Sequence, residues 1–227
     1  MTFKILYFNG EEISRYMMNQ PMANNYQFKG IFCKRKDRPT KKIKYYLYTE
    51  DMENIIMAAE KKQEMRLSYA ISMDSNQIPK EGKFNLGFFK QDKKNDFASF
   101  SWHPQVNDSK RIMLYLKRHE SLSQSKGVGS LKQFNDEILI PKLGESVLLD
   151  EGKSLESIDA SQKFIKLDGS TEIIEDENGS RIANRIIKYD NNLCMSFYQV
   201  YEDEFHFSVL YPMSLFQAFS MALSYIE

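Results

Sequence analysis

A strand-like segment runs directly into a helix-like segment at residues 205–223, FHFSVLYPMSLFQAFSMAL. Apolar residues alternate in the first part, as in a half-buried strand, and recur every three or four residues from Leu215 onward, as on an amphipathic helix. Pro212 lies between the two parts and suits the first turn of a helix. The segment therefore predicts a strand, a short turn and a C-terminal helix.

Residues 42–60, KIKYYLYTEDMENIIMAAE, have the same order of strand, turn and helix. Thr49 is a suitable N-cap, and the residues after it have an apolar stripe at helical spacing. Other strand-like segments lie near each passage. We therefore predict an α+β fold of two antiparallel multi-stranded sheet units, each followed by an amphipathic helix that lies on its sheet.

The composition is that of an ordinary globular protein, with 42% hydrophobic and 27% charged residues in a chain of 227. No apolar segment approaches the roughly 20 residues of a membrane helix, so no membrane partner is expected. Residues 1–10 resemble a first strand more than a signal peptide. Cys33 and Cys194 are far apart and favour free buried thiols over a disulfide. An intracellular protein is expected, in the cytoplasm or, for a viral protein, the host cytoplasm.

The net charge of zero conceals a difference between the two halves of the chain. Residues 1–133 contain 24 Lys and Arg against 14 Asp and Glu, and residues 134–227 contain 7 against 17, so the net charges are +10 and −10. This difference fits a polyanionic partner for the basic half, or attraction between the halves in the fold or between subunits.

The domain organisation follows this change of charge. We predict a basic sheet-plus-helix half at residues 1–118 and an acidic sheet-plus-helix half at residues 133–227. Residues 119–132 are rich in Ser, Gln and Gly and read as a linker or loop. The two halves are expected to pack as one globular unit.

A cationic hairpin is the main candidate site. Residues 26–36 and 41–48 are predicted strands, joined by a turn at residues 38–40 because proline suits a turn. By the period of two, Tyr46 and Tyr48 lie on the face opposite Ile43, Tyr45 and Leu47, which face the core.

Cations in this hairpin could neutralise phosphates, and exposed aromatic rings could stack on bases. The alternative is a solvated edge whose charges prevent sheet aggregation. The predicted nucleic-acid-binding residues of the hairpin are Lys29, Lys34, Arg35, Lys36, Arg38, Lys41, Lys42, Lys44, Tyr46 and Tyr48.

Residues 82–90 and 97–102 form a second predicted hairpin around the polar turn at residues 91–96. Its aromatic and cationic residues could extend the binding surface of the first hairpin. For the tryptophan, the alternative is an ordinary position in the core. The predicted binding residues of this hairpin are Phe89, Lys93, Lys94 and Trp102.

No catalytic motif is complete. The P-loop-like residues 152–154 lack the first glycine of that motif, because Val147 stands in its place. The three histidines are scattered, and no spacing of cysteine and histidine matches a zinc site. We therefore predict no enzymatic activity, no metal and no cofactor.

Two segments resemble known single-strand-binding proteins. Leu193–Ile226, a strand, turn, strand and C-terminal helix, resembles the end of a Whirly domain. Residues 41–62 resemble the strand-to-helix passage of a PUR repeat, and the kinetoplastid guide-RNA-binding proteins are similar to this group. The resemblance implies two four-stranded sheets with crossing helices, which bind single strands across the sheets and often form oligomers.

Together these features predict a non-enzymatic protein that binds single-stranded DNA or RNA through cationic and aromatic strand surfaces and forms a homo-oligomer. The alternative is a viral or phage structural or assembly protein. In that case the basic half of one copy would contact the acidic half of the next.

Overall fold

The computed structural model describes residues 17–38, 41–62, 68–76, 78, 85–93, 96–102, 110–123, 131–143, 145, 148–149, 163–175 and 178–226. Most of these residues form strands, and helix α1 (Leu215–Ile226) follows the last strand. The strands are β1 (Phe28–Lys36), β2 (Ile43–Thr49), β3 (Ile55–Lys61), β4 (Ser68–Ser72), β5 (Asn85–Lys93), β6 (Asp96–Trp102), β7 (Lys110–Ser123), β8 (Leu131–Pro141), β9 (Leu148–Leu149), β10 (Phe164–Glu175), β11 (Arg181–Tyr189), β12 (Asn192–Tyr201) and β13 (Glu204–Val209).

Twelve strands form a closed antiparallel barrel in the order β6-β5-β4-β3-β2-β1-β13-β12-β11-β10-β8-β7, and β7 pairs with β6 to complete the ring. The short β9 pairs with the beginning of β7. Strand β1 pairs with β13, so the first and the last of these strands are neighbours in the sheet. Closure pairs both edges of the sheet, which would otherwise expose unpaired backbone groups.

The predicted α+β fold of two sheet-plus-helix units is therefore wrong, and so is the Whirly/PUR-like architecture that the resemblance implies. The first predicted helix is a strand, because Ile55–Lys61 form β3 between β2 and β4. Thr49 does not cap a helix: its Oγ1 accepts a hydrogen bond from Asn54 N at 3.2 Å and closes the loop between β2 and β3. Side chains that cap helices also stabilise turns, so the sequence signal was ambiguous.

The predicted C-terminal helix is present, but it lies inside the barrel rather than on a sheet. It begins with a capping box, in which Gln217 N donates to Ser214 Oγ at 3.2 Å and Ser214 N donates to Gln217 Oε1 at 2.8 Å. Pro212 precedes the helix, in the turn after β13. Residues 215–224 are all buried. The buried serines of the helix bond to its own backbone, since Ser220 Oγ donates to Phe216 O at 2.9 Å and Ser224 Oγ donates to Met221 O at 2.7 Å.

Contacts to several strands fix helix α1 in the barrel. Phe219 packs against Phe32 of β1, with ring centroids 5.3 Å apart. Gln217 Nε2 donates to Met113 O of β7 at 2.8 Å. Tyr225 packs against Phe197 of β12, with centroids 6.2 Å apart. The core of the protein is therefore the space between the helix and the inner faces of the strands.

A buried ion pair holds the end of helix α1. Arg118 of β7 donates to both carboxylate oxygens of Asp136 on β8, at 3.1 and 3.3 Å. The same guanidinium donates to Ser224 O at 2.7 Å and to Ser224 Oγ at 2.9 Å. A cation at this position satisfies a terminal carbonyl and opposes the negative end of the helix dipole.

Both predicted hairpins are present, since β1 pairs with β2 and β5 pairs with β6. The predicted turn of the second hairpin at residues 91–96 is too long, because residues 91–93 and 96 belong to its strands. The predicted linker differs from the structure: residues 119–123 continue β7 and residues 131–132 begin β8, its antiparallel neighbour. Residues 124–130 lie outside the described residues. The predicted domain boundary thus falls in a hairpin, and both halves contribute strands to one barrel.

Ion pairs within the fold balance part of the charge difference between the two halves of the chain. The ion pairs Arg35–Glu204 and Arg118–Asp136 connect the basic and acidic halves.

Cys33 and Cys194 are free and buried, as predicted. Burial raises the pKa of both thiols, that of Cys194 to about 11, so both stay protonated at neutral pH. In the part of the chain that the structure describes, no helix is both long enough and apolar enough to cross a membrane.

Candidate nucleic-acid interface

The candidate site lies on the outer face of four neighbouring strands, β2, β1, β13 and β12. On β2, Tyr45 is 2% exposed and packs against Phe32 and Tyr69 in the core. Tyr46 and Tyr48 have the opposite parity and are half-buried at the outer surface. The predicted faces are therefore confirmed for residues 45–48, whereas Ile43, which was predicted to face the core, is 41% exposed at the beginning of the strand.

The strand register aligns outer side chains of the four strands in two rows. In the first row, Tyr48 lies opposite Ile31, Ile31 opposite His206, and His206 opposite Tyr198. The rings of Tyr198 and His206 stack, with centroids 4.7 Å apart and planes at 23°. With about 4.8 Å between strands, the row spans about 14 Å.

In the second row, Tyr46 lies opposite Cys33, Cys33 opposite Glu204, and Glu204 opposite Tyr201. Tyr201 is 70% exposed. The two rows are in contact at one end, because the Tyr46 and Tyr48 ring centroids are 6.0 Å apart. We name this surface the outer aromatic face and define it by Tyr46, Tyr48, Tyr198, Tyr201 and His206.

Three cations border the outer aromatic face. Arg35 lies opposite Lys44 in the register of β1 and β2. Its guanidinium carbon is 5.9 Å from the Tyr48 ring centroid, and its Nη2 is 3.2 Å from Glu204 Oε1. Lys29 is exposed on β1 at the other end of the face. Because Glu204 offsets one of the three, these side chains together carry a positive charge.

The other predicted cations of the first hairpin lie at the rim of the barrel. Lys34 and Lys36 share the parity of the inward-facing Phe32 but lie beyond the core, at the end of β1. Lys42 forms an ion pair with Glu60 of β3. The remaining two, Arg38 and Lys41, are exposed in the loop between β1 and β2. These cations are thus adjacent to the outer aromatic face but not on it.

The prediction for Phe89 is wrong, because this side chain is 1% exposed in the core, stacked with Phe97. A β-bulge is the reason: Ile71 lies opposite Gly87 and Ser72 opposite Asn85, so Leu86 is an extra residue.

The bulge shifts the alternation, so that Leu86 and Phe89 both face inward. Gly87 permits it with φ of 153°, and a Cβ there would lie 1.9 Å from Phe100 O. Lys93 ends β5 and Trp102 ends β6, on the side of the barrel away from β12 and β13. Lys94 lies outside the described residues.

Three residues of the face were absent from the sequence prediction: Tyr198, Tyr201 and His206. Their strands were predicted, and the alternation around Phe197 and Phe207 could have placed Tyr198 and His206 on the outer face. Their position beside Tyr46 and Tyr48 depends on the pairing of β1 with β13. No local pattern encodes that pairing.

The charge states of the rings suit stacking. Burial raises the pKa of Tyr46 and of Tyr48, so both hydroxyls stay protonated at neutral pH. Burial, and then the positive charge of Lys29, lower the pKa of His206, which is therefore a neutral ring at pH 7. Neutral, half-buried rings beside cations can stack on bases while the cations bind phosphates.

Among the described residues, no group of three or more His, Cys, Asp and Glu side chains is placed to hold a metal ion. The comparisons with known proteins assign no family, since no protein-family model and no curated protein sequence matches the chain.

Proposed function

We propose that the protein binds single-stranded DNA or RNA on the outer aromatic face, without catalysing a reaction. The observation that carries the proposal is the alignment of aromatic rings on β2, β13 and β12 in two rows, with cations at their border. We also propose an intracellular location, because free buried thiols are typical of proteins in a reducing compartment.

The aromatic rings would provide the stacking contacts. The first row carries rings on β2, β13 and β12 and the second row carries rings on β2 and β12, and unpaired bases can stack on such rings with little dependence on sequence. In a duplex the base faces are already stacked on each other. The proposal therefore favours single strands over duplexes.

The cations would provide the phosphate contacts. Lys29 and Arg35 are six residues apart on β1, about 20 Å, and lie on opposite sides of the two rows. Lys44 lies beside Arg35. The ion pair with Glu204 orients the Arg35 guanidinium above Tyr48, where it can contact a phosphate next to a stacked base.

The test is a fluorescence anisotropy titration of the protein with labelled dT20 and rU20 at 50 and 200 mM KCl. Three phosphate contacts to a single strand predict a slope of log K against log salt of about −2. A 20-base-pair duplex should compete poorly. No binding of either oligonucleotide at 50 mM KCl would contradict the proposal, as would equal binding of the duplex.

Light scattering in the same buffers separates nucleic-acid binding from self-assembly. The charge halves of separate copies could attract each other, and such an oligomer would dissociate in high salt. A salt-sensitive oligomer that binds neither oligonucleotide would favour an assembly function instead.

A further inference from the structure

A cavity of about 500 Å³ opens at the end of the barrel where helix α1 ends. Its volume is in the range typical of small-molecule sites. We name it the mouth pocket and define it by its aromatic lining, which consists of Phe197, Tyr198, Tyr201, Phe205 and Tyr225. Tyr198 and Tyr201 also belong to the outer aromatic face, so the pocket and that face form one continuous surface.

A β-bulge at the end of β12 lies where the pocket and the outer aromatic face meet. Gln199 lies opposite Phe205 and Tyr201 opposite Glu204, so Val200 is an extra residue. A bulge bends its strand and increases the local twist, and bulges are common at the rims of barrels. Val200 and Tyr201 are exposed at this rim. The outer face therefore reaches the pocket along the bulged end of β12.

The inner wall of the mouth pocket consists of aromatic rings in nearly parallel planes. Phe197 and Phe205 stack with centroids 5.0 Å apart and planes at 8°. The Tyr225 ring centroid lies 6.2 Å from that of Phe197, with planes at 28°. Phe205 is only half-buried. A flat ring of a ligand can extend this set of rings by stacking.

Contacts within the barrel hold the ring of Tyr225 in place. The guanidinium carbons of Arg118 and Arg185 lie 5.0 and 6.0 Å from its centroid. Arg185 is itself fixed, because its Nη1 donates to Thr171 Oγ1 and its guanidinium carbon lies 4.2 Å from the Phe134 ring centroid. The wall is therefore ordered before a ligand binds, which lowers the entropic cost of binding.

The rim of the mouth pocket carries charges of both signs. Arg181 is exposed and lies opposite Glu175 in the register of β10 and β11. Glu202 also lines the pocket. A cleft concentrates an ion when its lining carries the opposite sign of charge. This rim therefore suits a neutral base better than a phosphate, and the phosphates should stay with the cations of the outer aromatic face.

We propose that the mouth pocket binds one purine base of the single strand that lies on the outer aromatic face. This inference rests on the proposed function. The strand would cross the rows from β2 to β12 and pass Tyr198 and Tyr201, where one base leaves its neighbours and stacks on the aromatic wall. A purine is favoured over a pyrimidine, because its larger ring system stacks more strongly and base preference follows stacking strength.

Anisotropy titrations at 50 mM KCl test the proposal with dT20 and with the same oligonucleotide in which one central thymine is replaced by adenine. We expect the adenine oligonucleotide to bind at least about threefold tighter. An oligonucleotide with one central abasic site controls for backbone flexibility and should bind no tighter than dT20. Equal affinity for adenine and thymine, or an equal gain at the abasic site, would overturn the purine site and leave the proposed function standing. No binding of any of the three would overturn both.

Two variants locate the purine in the mouth pocket. Ala183 lines the pocket and has the inward parity of Arg185, so A183M should fill part of the cavity. F205L removes a ring of the wall and keeps an apolar side chain. Each variant should lose the preference for adenine and bind dT20 within about threefold of the wild type, whereas A183S should keep the preference. Retention of the preference in either variant, once circular dichroism shows it folded, would overturn the site.

Y46A separates the mouth pocket from the far end of the outer aromatic face. Tyr46 lies on β2, at the opposite end of the second row from Tyr201. Its loss should weaken both oligonucleotides by a similar factor, about fivefold or more, and leave the ratio of their affinities unchanged. Loss of the adenine preference in Y46A would place the purine at β2 and overturn its assignment to the pocket.

Discussion

The inner and outer faces of β1 and β2 both carry aromatic side chains but use them differently. On the inner face, Phe32 contacts Tyr45, Phe197 and Phe219, so the wall of the barrel and its central helix interlock. On the outer face, Tyr46 and Tyr48 contact each other and remain half-buried. The same residue type is therefore structural on one side of a strand and available for a ligand on the other.

The comparison shows that the alternation of side chains predicts which face each one occupies only where the strand is regular. Along β2 the period of two separates Tyr45 from Tyr46 without error. Along β5 the bulge at Gly87 moves Phe89 from the predicted surface into the core. Substitutions on the inner face should therefore change stability, and substitutions on the outer face should change binding.

The largest expected effect is at the buried ion pair of the interior. Arg118→Ala leaves the Asp136 carboxylate buried without its cation and removes the donors to Ser224. We expect a loss of about 3–5 kcal/mol in the free energy of unfolding, measured by urea denaturation.

The double change Arg118→Met with Asp136→Leu is the control for this prediction. It removes both charges and should recover much of the lost stability. A loss of less than about 1 kcal/mol in the single variant would show that the ion pair does not hold the end of the helix.

The next effect is on the outer face. Changing Lys29, Arg35 and Lys44 together to Ala should bring the salt slope of oligonucleotide binding about 2 units closer to zero, because three phosphate contacts are lost. The exposed lysines of β7, β10 and β11 provide a matched control with the same change of charge: Lys117, Lys166 and Lys188 to Ala. Equal loss in both triple variants would mean that only net charge matters and not this face.

The smallest effect concerns His206. Its pKa is lowered in the folded state, so below pH 6.5 the unfolded chain binds more protons than the folded protein. Stability from this residue is present above about pH 6.5 and is lost as the pH falls toward the folded pKa. Urea denaturation from pH 7.5 to 5 should show this decline, and His206→Gln should reduce it. The same decline in both proteins would assign it to other groups.

Much of the local structure could be predicted from the sequence. The turn at Asp190 and Asn191, where both residues have positive φ, was predicted, as were the strands on either side of it. The C-terminal helix was predicted because Leu215 to Ile226 keeps a 3.6-residue period. These signals are local, and tertiary packing agrees with them.

The closure of the barrel could not be predicted in the same way. Residues 55–59 are all apolar, so their pattern fits both a helix and a strand. In the structure they form a strand, because this segment pairs with β2 and β4. The sequence predicts that helix α1 lies on a sheet. In the structure the helix is buried on all sides, and this burial depends on strands from the whole chain, which no local pattern shows. Only two of the five residues of the outer aromatic face were predicted, since the other three lie on β12 and β13.

The contrast between Tyr45 and Tyr46 tests the central claim most directly, with melting and dT20 binding measured on both alanine variants. Tyr45→Ala should lose about 3–5 kcal/mol of folding stability, as large buried aromatic residues do, and should bind dT20 normally once folded. Tyr46→Ala should lose about 1–3 kcal/mol of binding free energy and less than about 1 kcal/mol of stability. If Tyr46→Ala bound dT20 like the wild type, or unfolded as readily as Tyr45→Ala, the outer face would not be the binding surface.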